Sequence, residues 1–305
     1  MGRFNCRPLT FLITGFSWLL LASLVGLAIL IGLVHGTPLP SWLRLVHVHA
    51  TLIGGILQLM VGGLLAPQSH SSQGDRTPSD SHLVLFVTLN AATAGLLVGF
   101  GLGDMRIVGL AGLVVIGAVV SVASTAWQYQ RQRLTEPASP SWLYRFSLLA
   151  LLAGLALGAA MAFRFMPEFY AHARLLHLHI ILLGFVTLAI IGLTHRLLPI
   201  ILHAELYSPR LATLVMRLLP AGFAVLIGGF ITSSLQLELA VGGLLVISIS
   251  LYAYNLLRTW IGSGQPGNAA SDHLLVATFF LVLTMIMGVL VGANAFPQLP
   301  ILPFG

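Results

Sequence analysis

Nine apolar runs set the rhythm of this chain. They lie at approximately Leu12–Val34, Leu45–Leu65, His82–Leu102, Ile107–Trp127, Trp142–Phe163, Leu175–Leu198, Leu211–Ile231, Leu239–Leu257 and His273–Val291. Crossing a hydrocarbon core of about 30 Å takes roughly 20 helical residues, and each run approaches or exceeds that length. Hydrophobicity is continuous within each run rather than alternating, which predicts helices and not barrel strands. In lipid the backbone polar groups must pair within the segment, and a helix does that. The stretches between runs are short. Pro67–Ser81, rich in Ser, Gly, Pro and Asp, reads as an exposed, flexible loop. Thr135–Ser141 reads as a link between two halves, Gly262–Asp272 as a linker before the last run, and Phe296–Gly305 as a Pro-rich tail. The expected fold class is all-α: a polytopic membrane helical bundle of about nine transmembrane helices. It divides into two parallel four-helix repeats, 1–134 and 141–260, plus an extra helix and tail over 271–305.

The second and sixth runs repeat one another. At a shift of 130 residues, Arg44 meets Arg174, Leu45 meets Leu175, His47 meets His177 and His49 meets His179. Leu52 then meets Leu182, Gly54 meets Gly184 and Gly62 meets Gly192, seven identities in the 21 columns from 44 to 64. Apolar sequence matches leucines easily by chance; paired His and Gly in register need a duplication. Helices 2 and 6 are expected to run parallel, as a parallel internal repeat requires.

Composition strengthens the membrane reading. The chain is 57% hydrophobic and 7% charged, against about 25% charged in soluble domains. The formal charge of +6 rests on 14 arginines, because lysine is absent. They sit singly at the ends of apolar runs, which fits membrane topology and not nucleic-acid binding. Arg3, Arg7, Arg76, Arg131, Arg133, Arg145, Arg196, Arg210, Arg217 and Arg258 fall on one side. Arg44, Arg106, Arg164 and Arg174 fall on the other. Ten against four places the N-terminus in the cytoplasm and, after nine spans, the C-terminus outside. Arg3 and Arg7 precede the first run as in a signal peptide, but that run is too long and has no clear cleavage site, so it reads as a retained span. The one cysteine, Cys6, excludes an internal disulfide framework and a Cys-based zinc site. All eight acidic residues fall in loops or at span ends, which counts against proton pumps and cation-coupled transporters. Asn90 and Gln58 are the main strongly polar residues inside spans. Trp18, Trp42, Trp127, Trp142 and Trp260 fit interface belts.

The candidate chemistry belongs to histidine. The topology brings His35, His47, His49, His172, His177 and His179 to the outer face. A helix turns about 100° per residue, so the two histidines of each His-x-His step lie about 200° apart and serve different partners. Two bis-imidazole sites fit this geometry, as does one haem with another metal. If the helix begins a turn later, an extended His-x-His could instead chelate one copper ion. Gly54 and Gly184 lie seven residues after His47 and His177, nearly on the same face two turns deeper. Either each makes room for a flat porphyrin or each serves helix packing. A lone histidine at a membrane interface ordinarily snorkels or forms a hydrogen bond, and His35, His70, His172, His195 and His203 read that way. His82 and His273 follow Asp80 and Asp272 at helix starts. His35, His172, His82 and His273 are secondary metal candidates.

His177-Leu178-His179 and the residues after it resemble the His-x-His helix of the haem-copper oxidase subunit I superfamily. The likeness is strongest to short proteins related to the C-type oxidase catalytic subunit and to NnrS-type membrane proteins. In those, a His-x-His is followed by a Gly-Phe pair, a further Gly and a Pro at the helix end. Here these are His177, His179, Gly184, Phe185, Gly192 and Pro199. The earlier copy matches at His47, His49 and Gly54 and has Gly55 in place of Phe. The resemblance implies that His177 and His179 are axial ligands of haem b, with His47 and His49 their counterparts. It implies one or two haems, with copper as a further candidate, in a bacterial inner membrane. Neither an adjacent His-His pair nor a His-Pro-Glu-x-Tyr is present, and Met166–Tyr170 (MPEFY) has Met where that motif has His. This argues against oxygen reduction. The expected function is electron transfer with quinol, cytochrome c or another redox subunit. The alternatives are an NnrS-like haem and copper protein in nitric oxide or metal stress, and a metal or haem transporter.

Overall fold

The computed structural model describes residues 7–71, 80–132 and 141–292. It is an all-α polytopic bundle. Among the described residues, nine helices are long and apolar enough to cross a membrane. Helix α1 is Pro8–Val34. Helix α2 is composite: α-helical over Trp42–His49, π-helical over Ala50–Leu57 and α-helical again over Gln58–Ser71. Helices α3, α4 and α5 are Asp80–Leu102, Met105–Gln132 and Ser141–Ala162. Helix α6 is composite in the same order, with Tyr170–His179 α, Ile180–Thr187 π and Leu188–Leu202 α. Helices α7, α8 and α9 are Pro209–Thr232, Leu235–Gly262 and Ala269–Gly292. The loop expected at Pro67–Ser81 is shortened by α2, which runs through Ser71; residues 72–79 lie outside the described residues. So do residues 133–140, which hold most of the expected inter-half link, and the Pro-rich tail.

By contacts the chain forms two compact units. One comprises Met1–Glu136 and Leu155–Ala173, the other Pro137–Gly154 and Arg174–Gly305, so α5 contributes to both. In the first, α1 packs along α2, α2 meets α3, and α3 packs along α4. Phe11 of α1 is fully buried and meets Phe86 of α3 edge-on at 5.4 Å. In the second, α7 packs along α8 and α8 along α9, while the last α segment of α6 touches α7, α8 and α9. Ile191, Leu198, Ile249 and Leu256 form its centre. Large apolar side chains remain exposed along α1 (Leu9, Phe16, Leu20) and α9 (Phe279, Phe280), as lipid solvation demands.

The turns between helices repeat as well. Asp104 N–H donates to Gly99 O at 2.9 Å, and Ser234 N–H to Gly229 O at 3.0 Å. Gly103 and Ser233, at φ +69° and +53°, take the left-handed conformation that ends a helix. Asp104 and Ser234 then cap the next helix, accepting from Arg106 N and Leu237 N. Gly99 and Gly229, Gly103 and Ser233, and Asp104 and Ser234 are each 130 residues apart. The duplication therefore reaches beyond the His-x-His helices.

Candidate functional site

Both His-x-His steps lie inside helix, because α2 opens at Trp42 and α6 at Tyr170. His49 sits at φ −75°, ψ −33° and His179 at φ −72°, ψ −35°. An extended His-x-His that chelates one ion is thereby removed from the alternatives. In the first unit His47 turns to α1, where its Nδ1 is 2.7 Å from Ala22 O. His49 turns to α3 and packs its ring on Phe100 at 4.6 Å and 45°, with Nδ1 2.8 Å from Leu45 O one turn back. In the second unit His177 turns to α5, with Nδ1 2.8 Å from Gly154 O. His179 packs on Phe230 of α7 at 4.5 Å and 46°, with Nδ1 2.8 Å from Leu175 O.

These bonds assign the tautomer. A carbonyl oxygen only accepts, so each Nδ1 carries the proton and the neutral ring keeps its basic lone pair on Nε2. A backbone carbonyl on one ring nitrogen is the customary partner of a histidine that ligates metal through the other. All four repeated histidines share this arrangement.

Phe100 and Phe230, the neighbours of His49 and His179, carry no signal in the apolar pattern alone. They are 130 residues apart, each after a Gly, so the same shift carried past helix 2 finds them. Gly26 carries no such signal either. A Cβ there would lie 2.6 Å from His47 Cε1, so the ring is seated against bare backbone. On α5 the carbonyl that accepts from His177 belongs to Gly154, which stands where Ala22 stands on α1.

The glycine expectation needs correction. Gly54 and Gly184 lie in the π segments, where hydrogen bonds reach one residue further than in an α-helix and the 100° step no longer holds. Seven residues from His47 or His177 do not return to the same face. A Cβ on Gly54 would meet Trp18 at 2.7 Å, and one on Gly184 would meet Phe223 at 2.7 Å and Ala150 Cβ at 2.9 Å. Protein fills the room each glycine leaves, so both serve helix packing. Two π segments beginning directly after the histidines, at the same shift, are the feature that hydrophobic periodicity could not show. Such segments are rare and gather at functional sites.

The secondary candidates occupy different settings. His35 ends α1 and is exposed. His172 stacks on Phe169 at 5.0 Å and 14°. His273 bonds back to Ala269 O on its own helix, at 2.6 Å. His82 is half-buried at the start of α3; the side chains of Asp80 and His70 lie outside the described residues. Among the described residues, no three His, Cys, Asp or Glu side chains gather so as to hold a metal ion.

Two readings of interface residues are overturned. Trp18 Nε1 donates to Asn90 Oδ1 at 2.9 Å, and Asn90 exchanges hydrogen bonds with Gln58, which is fully buried. Trp18 thus belongs to an internal polar network. His195 is no snorkelling residue either: it is 5% exposed, set edge-on to Tyr252 at 5.2 Å. Its Nδ1 faces Ile191 O at 3.0 Å, and its buried Nε2 has no partner among the described residues.

A comparison with protein-family models gives no match for this chain, and a comparison with curated proteins gives none either.

Proposed function

We propose that this integral membrane protein binds haem b through the repeated histidines and transfers electrons, exchanging them with quinol or with a redox partner such as cytochrome c. One observation carries the reading. His47, His49, His177 and His179 present the same tautomer, in two pairs 130 residues apart, each pair leading directly into a π segment. Haem suits these residues better than a bare ion does. A porphyrin supplies four bonds to iron, so the protein need supply only one or two, and no three-ligand cluster exists among the described residues. The resemblance to haem-copper oxidase subunit I supports the same assignment. The arginine count supports a cytoplasmic N-terminus, and the resemblance supports a bacterial inner membrane location.

When bound, haem supplies a reversible one-electron couple. The chain's own part is orientation and shielding. The Nδ1 bonds to Ala22, Leu45, Gly154 and Leu175 fix the rings and keep Nε2 basic. Phe100 and Phe230 bar rotation of His49 and His179, and raise the apolar character around them.

The test is a dithionite-reduced minus oxidised spectrum of the purified protein in mild detergent. Sharp b-type bands are expected. His49→Ala and His179→Ala should each lower bound haem by about tenfold or more. Full haem content in alanine variants of all four histidines would overturn the site. A flat spectrum from protein made with ample haem would overturn the cofactor.

A further inference from the structure

At the far end of the second unit, Tyr207, Tyr254 and Arg258 form a patch with no part in the histidine sites. The Arg258 guanidinium lies 4.7 Å from the Tyr207 ring centre and 5.9 Å from that of Tyr254. The two rings meet edge-on at 5.8 Å. We infer that this patch binds the headgroup of an anionic phospholipid through its phosphodiester.

Four observations lead there. The first is the rigid base. Tyr207 N–H donates to Thr259 Oγ1 at 3.0 Å, and Ser208 N–H to Asn255 Oδ1 at 3.0 Å. Asn255 Nδ2 returns a bond to Ser208 O at 3.2 Å. Asn255 and Thr259 are buried, so the turn carrying Tyr207 is bolted to α8 from beneath while both tyrosines stay exposed. A site held this way spends little ordering entropy on binding.

The second is charge. Among the described residues no carboxylate pairs with Arg258, whose guanidinium lies over the Tyr207 and Tyr254 rings. A planar guanidinium presents paired donors that match phosphate oxygens. The first turn of α7 begins just after Tyr207 and carries Arg210, adding the positive end of a helix of 24 residues.

The third is position. Arg258 lies one turn before the end of the apolar helix α8, beside exposed Leu257 and with exposed Ile247 deeper on the same helix. The cation thus stands where acyl chains give way to headgroups, with apolar side chains below it for the tails. A zwitterionic lipid brings its own ammonium to compete for its phosphate, so an anionic headgroup fits better.

The fourth is the internal comparison. Ser124 and Gln128 stand 130 residues before Tyr254 and Arg258. The first half has neither the phenol nor the cation there, so the fold does not require them.

The test uses the full chain in nanodiscs of phosphatidylcholine, titrated with short-chain phosphatidylglycerol and read by native mass spectrometry. Wild type should bind phosphatidylglycerol, and Arg258→Gln should weaken it by about tenfold. Arg258→Lys should fall between, because it keeps charge and loses the planar fork. Phosphatidylcholine added in the same way should bind weakly and be indifferent to either change. Equal binding of the two lipids, or no effect of Arg258→Gln in a monodisperse variant, overturns the proposal. So does inorganic phosphate displacing phosphatidylglycerol at equal concentration, which would mark a simple anion site.

Discussion

At the residue scale, hydrogen-bond valence separates neighbouring histidines that look alike in sequence. Each repeated histidine points Nδ1 at a carbonyl and thereby fixes where its lone pair sits. His195 makes the same kind of bond to Ile191 O yet buries an Nε2 that has no partner among the described residues. A buried polar atom left unpaired costs about 1–3 kcal/mol. In the first half the equivalent position is Leu65, itself 3% exposed. His195→Leu should therefore raise the thermal unfolding midpoint in detergent, by the equivalent of about 1 kcal/mol. A lowered midpoint would mean that Nε2 has a partner that stabilises the fold. Histidine content was visible in the sequence, but valence was not, because the acceptors are set by backbone placement and two of them lie on other helices. Nothing in the composition of α1 singles out Ala22 or Gly26.

At the element scale, the π segments turn two ordinary spans into positioning devices. An inserted or missing residue in a helix rotates the preceding residues by about 100° against the later ones. Deleting Leu183 from the π segment of α6 should swing His177 away from Gly154 O and His179 away from Phe230. In protein that carries haem, this deletion should release it while circular dichroism shows nearly unchanged helix. Deleting Gln265 from the exposed turn between α8 and α9 should leave haem in place. Haem retention after the Leu183 deletion would show that the π register does not set the site. Span number and approximate position were legible from continuous hydrophobicity, since a helix in lipid needs a fixed apolar length. The composite form of α2 and α6 was hidden. Glycine and apolar residues fill α and π helices alike, and only hydrogen-bond reach distinguishes them.

At the scale of the whole molecule, nine helices among the described residues are long and apolar enough to cross a membrane, and the arginine bias predicts a cytoplasmic N-terminus. In a Cys6→Ser background, a cysteine at Thr37 should react with an impermeant maleimide from outside intact cells. One at Glu205 should react only after the cells are opened. The reverse pattern would show that the arginine bias does not govern insertion here. The duplication gives each half similar turns and histidines, yet the halves differ inside. The first carries the Trp18–Asn90–Gln58 network, the second the His195–Tyr252 contact.

The sequence alone determined the membrane class, the number of spans and the duplication that pairs His47 with His177 and His49 with His179. Those follow from apolar length and from identities in register, which are properties of the chain read along its own axis. Tertiary structure decided that Gly54 and Gly184 pack against Trp18 and Phe223, that Phe100 and Phe230 cover His49 and His179, and that Nε2 is the basic nitrogen. Each depends on which helix lies beside which, and on helical phase through a π segment. Residues that meet across helices can be far apart in the chain, and no local periodicity records the meeting.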